Sequence, residues 1–173
     1  MSELETERLL LRRWRDGDLA GLARLNADPS VVRYLTPGGR AMSRAESEEQ
    51  LRRFRRHWRE HGFGLWAVEE KASGRLVGRI GLQYHRLWPT DPEVGWKLDP
   101  AVWGRGYATE GGRASIRHAF ETLGVPRVVS IVHPDNAPSI AVMERLGLAL
   151  AGRPWWTEGD LELLRYALER SRP

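Results

Sequence analysis

The chain of 173 residues is long enough for one domain with a substantial apolar core. It contains no cysteine, which excludes disulfides, thiolate metal sites and a cysteine nucleophile, and no apolar run approaches the ~18 residues of a membrane span. The net charge of +4 comes mainly from arginines scattered along the chain, a pattern that does not favour nucleic-acid binding as the main role. Because the N-terminus is acidic and unlike a signal peptide, we expect a single cytoplasmic domain over residues 1–173 that binds neither nucleic acid nor a membrane.

The first third of the chain predicts one strand and two helices. Residues 8–14 are typical of an opening strand, and the apolar face within residues 16–29 predicts the first helix. A capping box of Ser43 and Glu46 predicts the start of a longer, arginine-rich helix, which Gly62 ends.

The rest of the chain alternates between strand and helix signals. It predicts three strands, a helix, a strand, a helix and two closing strands, at about residues 64–70, 75–85, 92–100, 108–123, 127–132, 136–146, 148–156 and 161–168. This order indicates a mixed α/β domain.

A glycine-rich stretch, VWGRGYATEGG at residues 102–112, lies between a predicted strand and a predicted helix. The first N–H groups of a helix are unpaired, and preceding glycines let them converge on an anion such as a pyrophosphate. A Walker A loop would need Gly-Lys-Ser/Thr here, and a dinucleotide fingerprint would need a third glycine where Thr109 stands. A flexible turn before a capped helix remains an alternative interpretation.

A second polar pair follows the strand at residues 127–132. In NAPSIAVMERLG, Asn136 is placed to cap a helix and Ser139 comes three residues later. Helix capping alone explains both residues, so this pattern does not by itself indicate a ligand.

Four stretches together carry a resemblance to a known family. In chain order they are ETERLLLRRW, NADPSVVRYL, EVGWKLDPAVWGRGYATEG and NAPSIAVMERLGL. They resemble the GNAT superfamily of acetyl-CoA-dependent N-acetyltransferases, and within it the branch similar to ribosomal-protein N-terminal acetyltransferases. The resemblance implies a mixed, mostly antiparallel seven-stranded sheet that is splayed between its fourth and fifth strands and flanked by about four helices.

The resemblance also implies where acetyl-CoA binds. The pantetheine arm would pair with backbone groups near Trp96, Lys97 and Leu98, in the gap between the splayed strands. The pyrophosphate loop of the family maps onto Trp103, Gly104, Arg105, Gly106, Tyr107 and Ala108, with the N–H groups from Arg105 to Thr109 facing the phosphates. No metal is expected, because the histidines are scattered without carboxylate spacing.

Three residues are candidates for the chemistry. Glu93 matches a position where many family members carry the base that accepts the proton of the amine, although an exposed strand carboxylate is the alternative. Many members place a tyrosine acid where this chain has Met143, so we expect Ser139 to hydrogen-bond the coenzyme sulfur instead. Asn136 would hold the pantetheine arm or a water molecule, and a backbone N–H near Trp96 or Leu98 would stabilise the oxyanion.

The acceptor amine is less constrained by the sequence. Its lining is expected from the helix at 43–61, the loop at 85–92 and the last hairpin, with Trp88, Trp155 and Trp156 as substrate contacts. The acceptor is either a protein N-terminus or a small-molecule amine, and an acidic pocket would favour polyamines or aminoglycosides. A non-catalytic acyl-CoA sensor or a basic nucleic-acid-binding module remains the alternative, and a homodimer is compatible with the resemblance.

Three residues after the glycine loop have a predicted structural role. Glu110 is expected to be structural or related to helix capping, because a carboxylate beside phosphates would be unfavourable. Gly111 and Gly112 weaken the helix, and close packing of the helix against the sheet is one explanation.

Overall fold

The architecture is a twisted sheet with helices on both faces. A computed structural model describes residues 3–85 and 88–170, without the side chain of Trp88. Within this part, the strands are β1 (Leu4–Glu5), β2 (Leu9–Arg12), β3 (Leu65–Glu70), β4 (Arg75–His85), β5 (Trp88–Leu98), β6 (Arg127–Val132), β7 (Ala149–Gly152), β8 (Trp155–Trp156), β9 (Leu161–Glu162) and β10 (Leu164–Glu169).

Eight of these strands form one sheet in the order β1-β2-β3-β4-β5-β6-β10-β7, while β8 and β9 form a separate two-stranded ribbon. The pairs within the main sheet are antiparallel except for β5 and β6, which are parallel, with Glu93 opposite Val129. The expected mixed, mostly antiparallel sheet is therefore confirmed. Eight strands occur instead of seven because the opening segment divides into β1 and β2.

The helices are α1 (Leu19–Ala27), α2 (Pro29–Val32), α3 (Arg44–His61), α4 (Tyr107–Arg117) and α5 (Ala137–Arg145), and a π-helical turn at His118–Thr122 extends α4. The predicted capping box is confirmed: the Ser43 hydroxyl accepts the Glu46 N–H, and the Glu46 carboxylate accepts the Ser43 N–H. Gly62 ends α3 with a φ of 74°, a left-handed conformation that favours glycine. Among the described residues, no helix has the length and hydropathy that a membrane span requires.

The alternation of side chains along β4 and β5 assigns the helices to two faces of the sheet. On one face, Lys97 contacts Asn26 of α1, and Arg79 lies over the ring of Phe54 in α3; this is called the α1–α3 face. On the other face, Ile80 packs against α4 and Trp96 contacts α5; this is called the α4–α5 face. Consecutive residues of β5 therefore serve opposite faces.

The central strands separate just beyond their one described register pair. The Ser130 hydroxyl donates a hydrogen bond to the Val94 carbonyl at 2.7 Å and joins β6 to β5 at this point. Past this bond the C-terminal ends of the two strands diverge, and a cleft opens between them. The predicted splay between the fourth and fifth strands is thus found between β5 and β6, because the opening segment contributes two strands, β1 and β2, where one was predicted.

Candidate active site

The cleft between β5 and β6 has a volume of about 200 Å³. Its lining includes Glu93, Gly95 and Trp96 from β5, and Asn136 and Ser139 from the start of α5. Residues from both faces of the sheet thus meet at one opening, so a ligand in the cleft would contact both faces.

Glu93 lies on the α1–α3 face and is mostly enclosed by protein. Gln83, its register partner on β4, directs its side-chain amide at the carboxylate, with an Nε2 to Oε2 distance of 3.3 Å. Burial raises the pKa of Glu93 to about 7, against the opposing effects of this hydrogen bond and of the charge on Arg79. A carboxyl with this pKa can accept a proton near neutral pH and release it again.

Ser139 lies on the opposite side of the cleft, in the first turn of α5. Its hydroxyl oxygen accepts a hydrogen bond from the indole Nε1 of Trp96 at 3.3 Å, which leaves the hydroxyl hydrogen available to donate. The Asn136 side chain accepts the Ser139 N–H at 3.3 Å and so caps the helix. Met143 is buried at the base of the cleft and offers no proton donor.

The edge of β5 that faces the gap can be identified from two hydrogen bonds. The Val94 carbonyl accepts from β6, and the Asp99 N–H donates to Val77 beside β4. Since backbone groups of alternate residues point to opposite edges, Trp96 and Leu98 direct theirs into the gap and Lys97 directs its own towards β4. The Leu98 carbonyl already accepts from the Trp103 indole at 2.9 Å, so the backbone of Trp96 is the most accessible on this edge.

The glycine-rich loop leads directly into α4. Gly104 and Gly106 have φ values of 74° and 81°, which residues with a side chain rarely adopt. The first intrahelical bond joins the Glu110 N–H to the Gly106 carbonyl, so the N–H groups of Tyr107, Ala108 and Thr109 have no acceptor within the helix. The Arg105 N–H makes a long turn bond of 3.4 Å to Val102. Three backbone donors thus lie at a helix N-terminus, as an anion site requires.

These features fit an acetyltransferase, and the sequence matches the family model Acetyltransferase (GNAT) domain over residues 8–149. The chain belongs to the GNAT acetyltransferase family. Such enzymes bind acetyl-CoA and transfer its acetyl group to an amine.

Known proteins similar to this GNAT chain cover nearly its whole length. An uncharacterized N-acetyltransferase of Bacillus subtilis, YnaD, is 24% identical over 164 residues, which cover 90% of this chain and 92% of that protein. The crystal structure of an acetyltransferase from Agrobacterium tumefaciens has a TM-score of 0.83 and 32% identity, covering 98% of this chain and 95% of that one. RimL, a ribosomal α-N-protein acetyltransferase solved in complex with coenzyme A, shares the fold, with a TM-score of 0.78, 19% identity and 95% coverage of each chain.

Close packing explains the paired glycines of the GNAT helix α4. A Cβ atom on Gly111 would lie 2.5 Å from Ile80 Cδ1, and one on Gly112 would lie 2.8 Å from Leu146 Cδ1. The predicted close approach of helix and sheet is therefore confirmed at Gly111, whereas Gly112 lies close to Leu146 at the end of α5. Glu110 has the expected structural role, because its carboxylate accepts hydrogen bonds from the Thr6 hydroxyl and from the backbone and side chain of Arg8.

The lining of the acceptor side differs from the sequence-based expectation. Among the described residues, the cleft receives Tyr34 and Leu35 from the segment after α2, and none from α3. The expected loop at 85–92 is instead largely strand, because β5 begins at Trp88, opposite His85.

The three predicted tryptophan contacts have different positions. Trp156 lines the cleft, whereas Trp155 is 58% exposed and lies outside the lining. The side chain of Trp88 lies outside the described residues. Successive residues of a strand point to opposite sides, which is why the two neighbouring tryptophans cannot both face the cleft.

Proposed function

We propose that this GNAT enzyme acetylates a primary amine by direct attack within a ternary complex, with Glu93 as the base. The observation that carries the proposal is the position of Glu93 in the cleft, together with a pKa raised by burial to about 7. At neutral pH a large fraction of this carboxyl is ionised, so it can accept the proton that the attacking amine must lose.

The α4–α5 face would bind the coenzyme. Acetyl-CoA supplies a thioester carbonyl that an amine can attack. The N–H groups of Tyr107, Ala108 and Thr109 would hold the pyrophosphate, with additional contacts from the flanking loop residues. The gap-facing backbone of Trp96 would pair with the pantetheine arm, in the manner of an added strand.

Two donors would support the reaction itself. The Trp96 N–H faces the gap and would stabilise the oxyanion of the tetrahedral intermediate. The Ser139 hydroxyl would donate to the departing thiolate, because its oxygen is already oriented by the Trp96 indole. The capping bond of Asn136 fixes the first turn of α5, and with it the position of Ser139.

The electrostatics of the cleft favour a small amine over a polycation. Glu93 is the one acidic side chain among the described residues that line the cleft. Polyamines and aminoglycosides carry several positive charges and would need more carboxylates than this. A small-molecule amine of lower charge and a protein N-terminus both remain compatible with the cleft.

A panel of amines and peptides, assayed by release of free coenzyme A thiol, tests this function. The chain contains no cysteine, so the protein contributes no thiol background. We expect turnover of at least one primary amine and saturable binding of acetyl-CoA. Tight acetyl-CoA binding without turnover of any amine would contradict the proposal and favour a non-catalytic sensor.

A further inference from the structure

Arg79 carries a charge that the described residues leave without a partner. Within residues 3–85 and 88–170, three arginines have a buried Nε atom with no hydrogen bond: Arg79, Arg127 and Arg165. Arg127 pairs with Asp91, and the Arg165 guanidinium donates to a backbone carbonyl. For Arg79 the described residues supply neither an ion pair nor a hydrogen bond. A guanidinium enclosed in this way is costly unless something else binds it.

The guanidinium of Arg79 is held at the wall of the cleft. Its central carbon lies 5.6 Å from the ring centroid of Phe54 in α3, within the range of a cation–π contact. Burial lowers the pKa of Arg79 to about 10, so the group stays charged at neutral pH. A ring offers no hydrogen-bond acceptor of the usual kind, so the contact with Phe54 leaves the N–H donors of Arg79 without an acceptor among the described residues.

A pair of glycines separates Arg79 from Glu93 on this face of the sheet. Arg79 is opposite Lys97 and Gln83 is opposite Glu93 in the register of β4 and β5, and the glycines at 81 and 95 lie between these pairs. A Cβ on Gly95 would meet nothing nearer than the Glu93 carboxylate, at 4.0 Å. The two charged groups are too far apart to form an ion pair of their own, and the floor between them carries no side chain.

The neighbouring amine of Lys97 does not compete for an anion in this space. Its Nζ donates to the Oδ1 of Asn26 in α1. Burial, with a smaller effect from the charge on Arg79, lowers the pKa of Lys97 to about 6, so this amine is mostly neutral at pH 7. Among the described residues, the titratable groups that line the cleft are those of Glu93, Arg79, Tyr34, His85 and His133.

We propose that Arg79 binds a carboxylate of the acceptor, which makes the acceptor a small primary amine that also carries a carboxylate, such as an amino acid. The inference rests on the proposed function, since it assumes that the amine lies beside Glu93. A guanidinium binds a carboxylate through two parallel hydrogen bonds, which suits the unpartnered Arg79. The cleft volume of about 200 Å³ lies below the ~300–1,000 Å³ typical of a site for a drug-sized ligand, which favours a small acceptor.

The test compares matched acceptors in the full-length enzyme with saturating acetyl-CoA. Amino acids with increasing separation between amine and carboxylate are each paired with their carboxamides, and thiol release gives kcat/KM. We expect the best carboxylate acceptor to exceed its carboxamide by about tenfold or more, since charge-assisted hydrogen bonds are the stronger class. In Arg79→Met the preference for the carboxylate over the carboxamide should fall to about twofold or less. Arg79→Lys should be intermediate, because lysine keeps the positive charge but lacks the two parallel N–H donors of a guanidinium.

Arg75→Met is the matched control, because Arg75 lies on the same strand with an exposed side chain outside the cleft. This variant should keep the full preference. A wild-type enzyme that turns over both members of each pair equally would overturn the inference. An unchanged preference in Arg79→Met would overturn it as well.

A binding measurement separates this inference from the proposed function. In the presence of coenzyme A, N-acetyl amino acids should raise the melting temperature of the wild type more than their N-acetyl carboxamides do, and Arg79→Met should lose this difference. If no amine is turned over, the proposed function fails, and this comparison still decides the role of Arg79. Equal shifts with both ligands in the wild type would contradict that role.

Discussion

On the α4–α5 face of the cleft, the groups offered to a ligand are the backbone N–H groups at the start of α4, the backbone of Trp96 and the Ser139 hydroxyl. On the α1–α3 face they are the titratable side chains of Glu93 and Arg79. The first set keeps one charge state at any physiological pH, whereas the second set contains a carboxyl that titrates near neutrality. Under the proposed function, the α4–α5 face would hold the coenzyme, and the α1–α3 face would bind the acceptor and accept its proton.

Burial explains why the two faces differ. On the α1–α3 face, burial shifts the pKa of Glu93 to about 7 and that of Lys97 to about 6, in each case towards the neutral form. Backbone donors at a helix N-terminus undergo no such titration and carry only a partial positive charge. Substitutions on the α1–α3 face should therefore change the pH dependence of the rate, whereas substitutions on the α4–α5 face should change coenzyme binding, thiolate departure or stability and leave the pH dependence unchanged.

The largest expected effect belongs to Glu93→Gln. The amide keeps the shape of the side chain but cannot accept the amine proton, so kcat/KM for the acceptor should fall by roughly 100-fold or more at pH 7.5. Acetyl-CoA affinity, measured by calorimetry, should change by about twofold or less because the coenzyme contacts lie on the other face. Glu49→Gln, on the exposed side of α3, is the control and should behave as the wild type does.

Ser139→Ala should have a smaller effect on the rate. Loss of the donor to the departing thiolate should lower kcat about tenfold, with little change in the KM for the acceptor. Stopped-flow measurement of thiol release, with pre-bound acetyl-CoA, isolates this step. If the variant retained wild-type kcat, Ser139 would serve the first turn of α5 alone.

Gly111→Val addresses the packing of the α4–α5 face. The added side chain would overlap Ile80, so we expect a free energy of unfolding lower by about 1–3 kcal/mol than in the control Arg113→Val. Arg113 is exposed, and valine has a lower helix propensity than arginine but a higher one than glycine. Propensity alone would therefore make Gly111→Val the more stable of the two variants, so a lower urea denaturation midpoint in Gly111→Val reports the overlap. A higher midpoint in Gly111→Val would show that α4 can move away from the sheet without cost.

The sequence predicted the α4–α5 face better than the α1–α3 face, for a physical reason. Backbone sites depend on local signals, such as the glycines at 104 and 106 and the cap at Asn136, and these stand next to one another in the chain. Arg79 was missed because it is one arginine among many, and its importance comes from the register of β4 against β5. The alternation of residues in those strands could have placed Arg79 on the face of Glu93, but the missing partner is visible only in three dimensions.

Other differences have similar causes. The indole Nε1 of Trp103 donates a hydrogen bond to the backbone carbonyl of Leu98, and no periodicity in the sequence predicts this contact. Tyr34 enters the cleft because the chain turns after α2, and no sequence pattern predicts the direction of that turn. The element types and most boundaries were predictable, since caps, glycine stops and apolar periodicity are local, whereas contacts across the cleft depend on the packed fold.

The most direct test of the account is the pH dependence of kcat/KM in wild type and Glu93→Gln, measured with an acceptor amine whose own pKa lies well above that of Glu93. The base is active when ionised, so the wild-type value should rise with pH up to about 7 through Glu93, and again through ionisation of the amine. Glu93→Gln should lose the lower limb of the pH profile, which is the rise through Glu93, and keep the upper limb, which is the rise through ionisation of the amine. A lower limb that persists in Glu93→Gln would show that another group accepts the proton and would contradict the account.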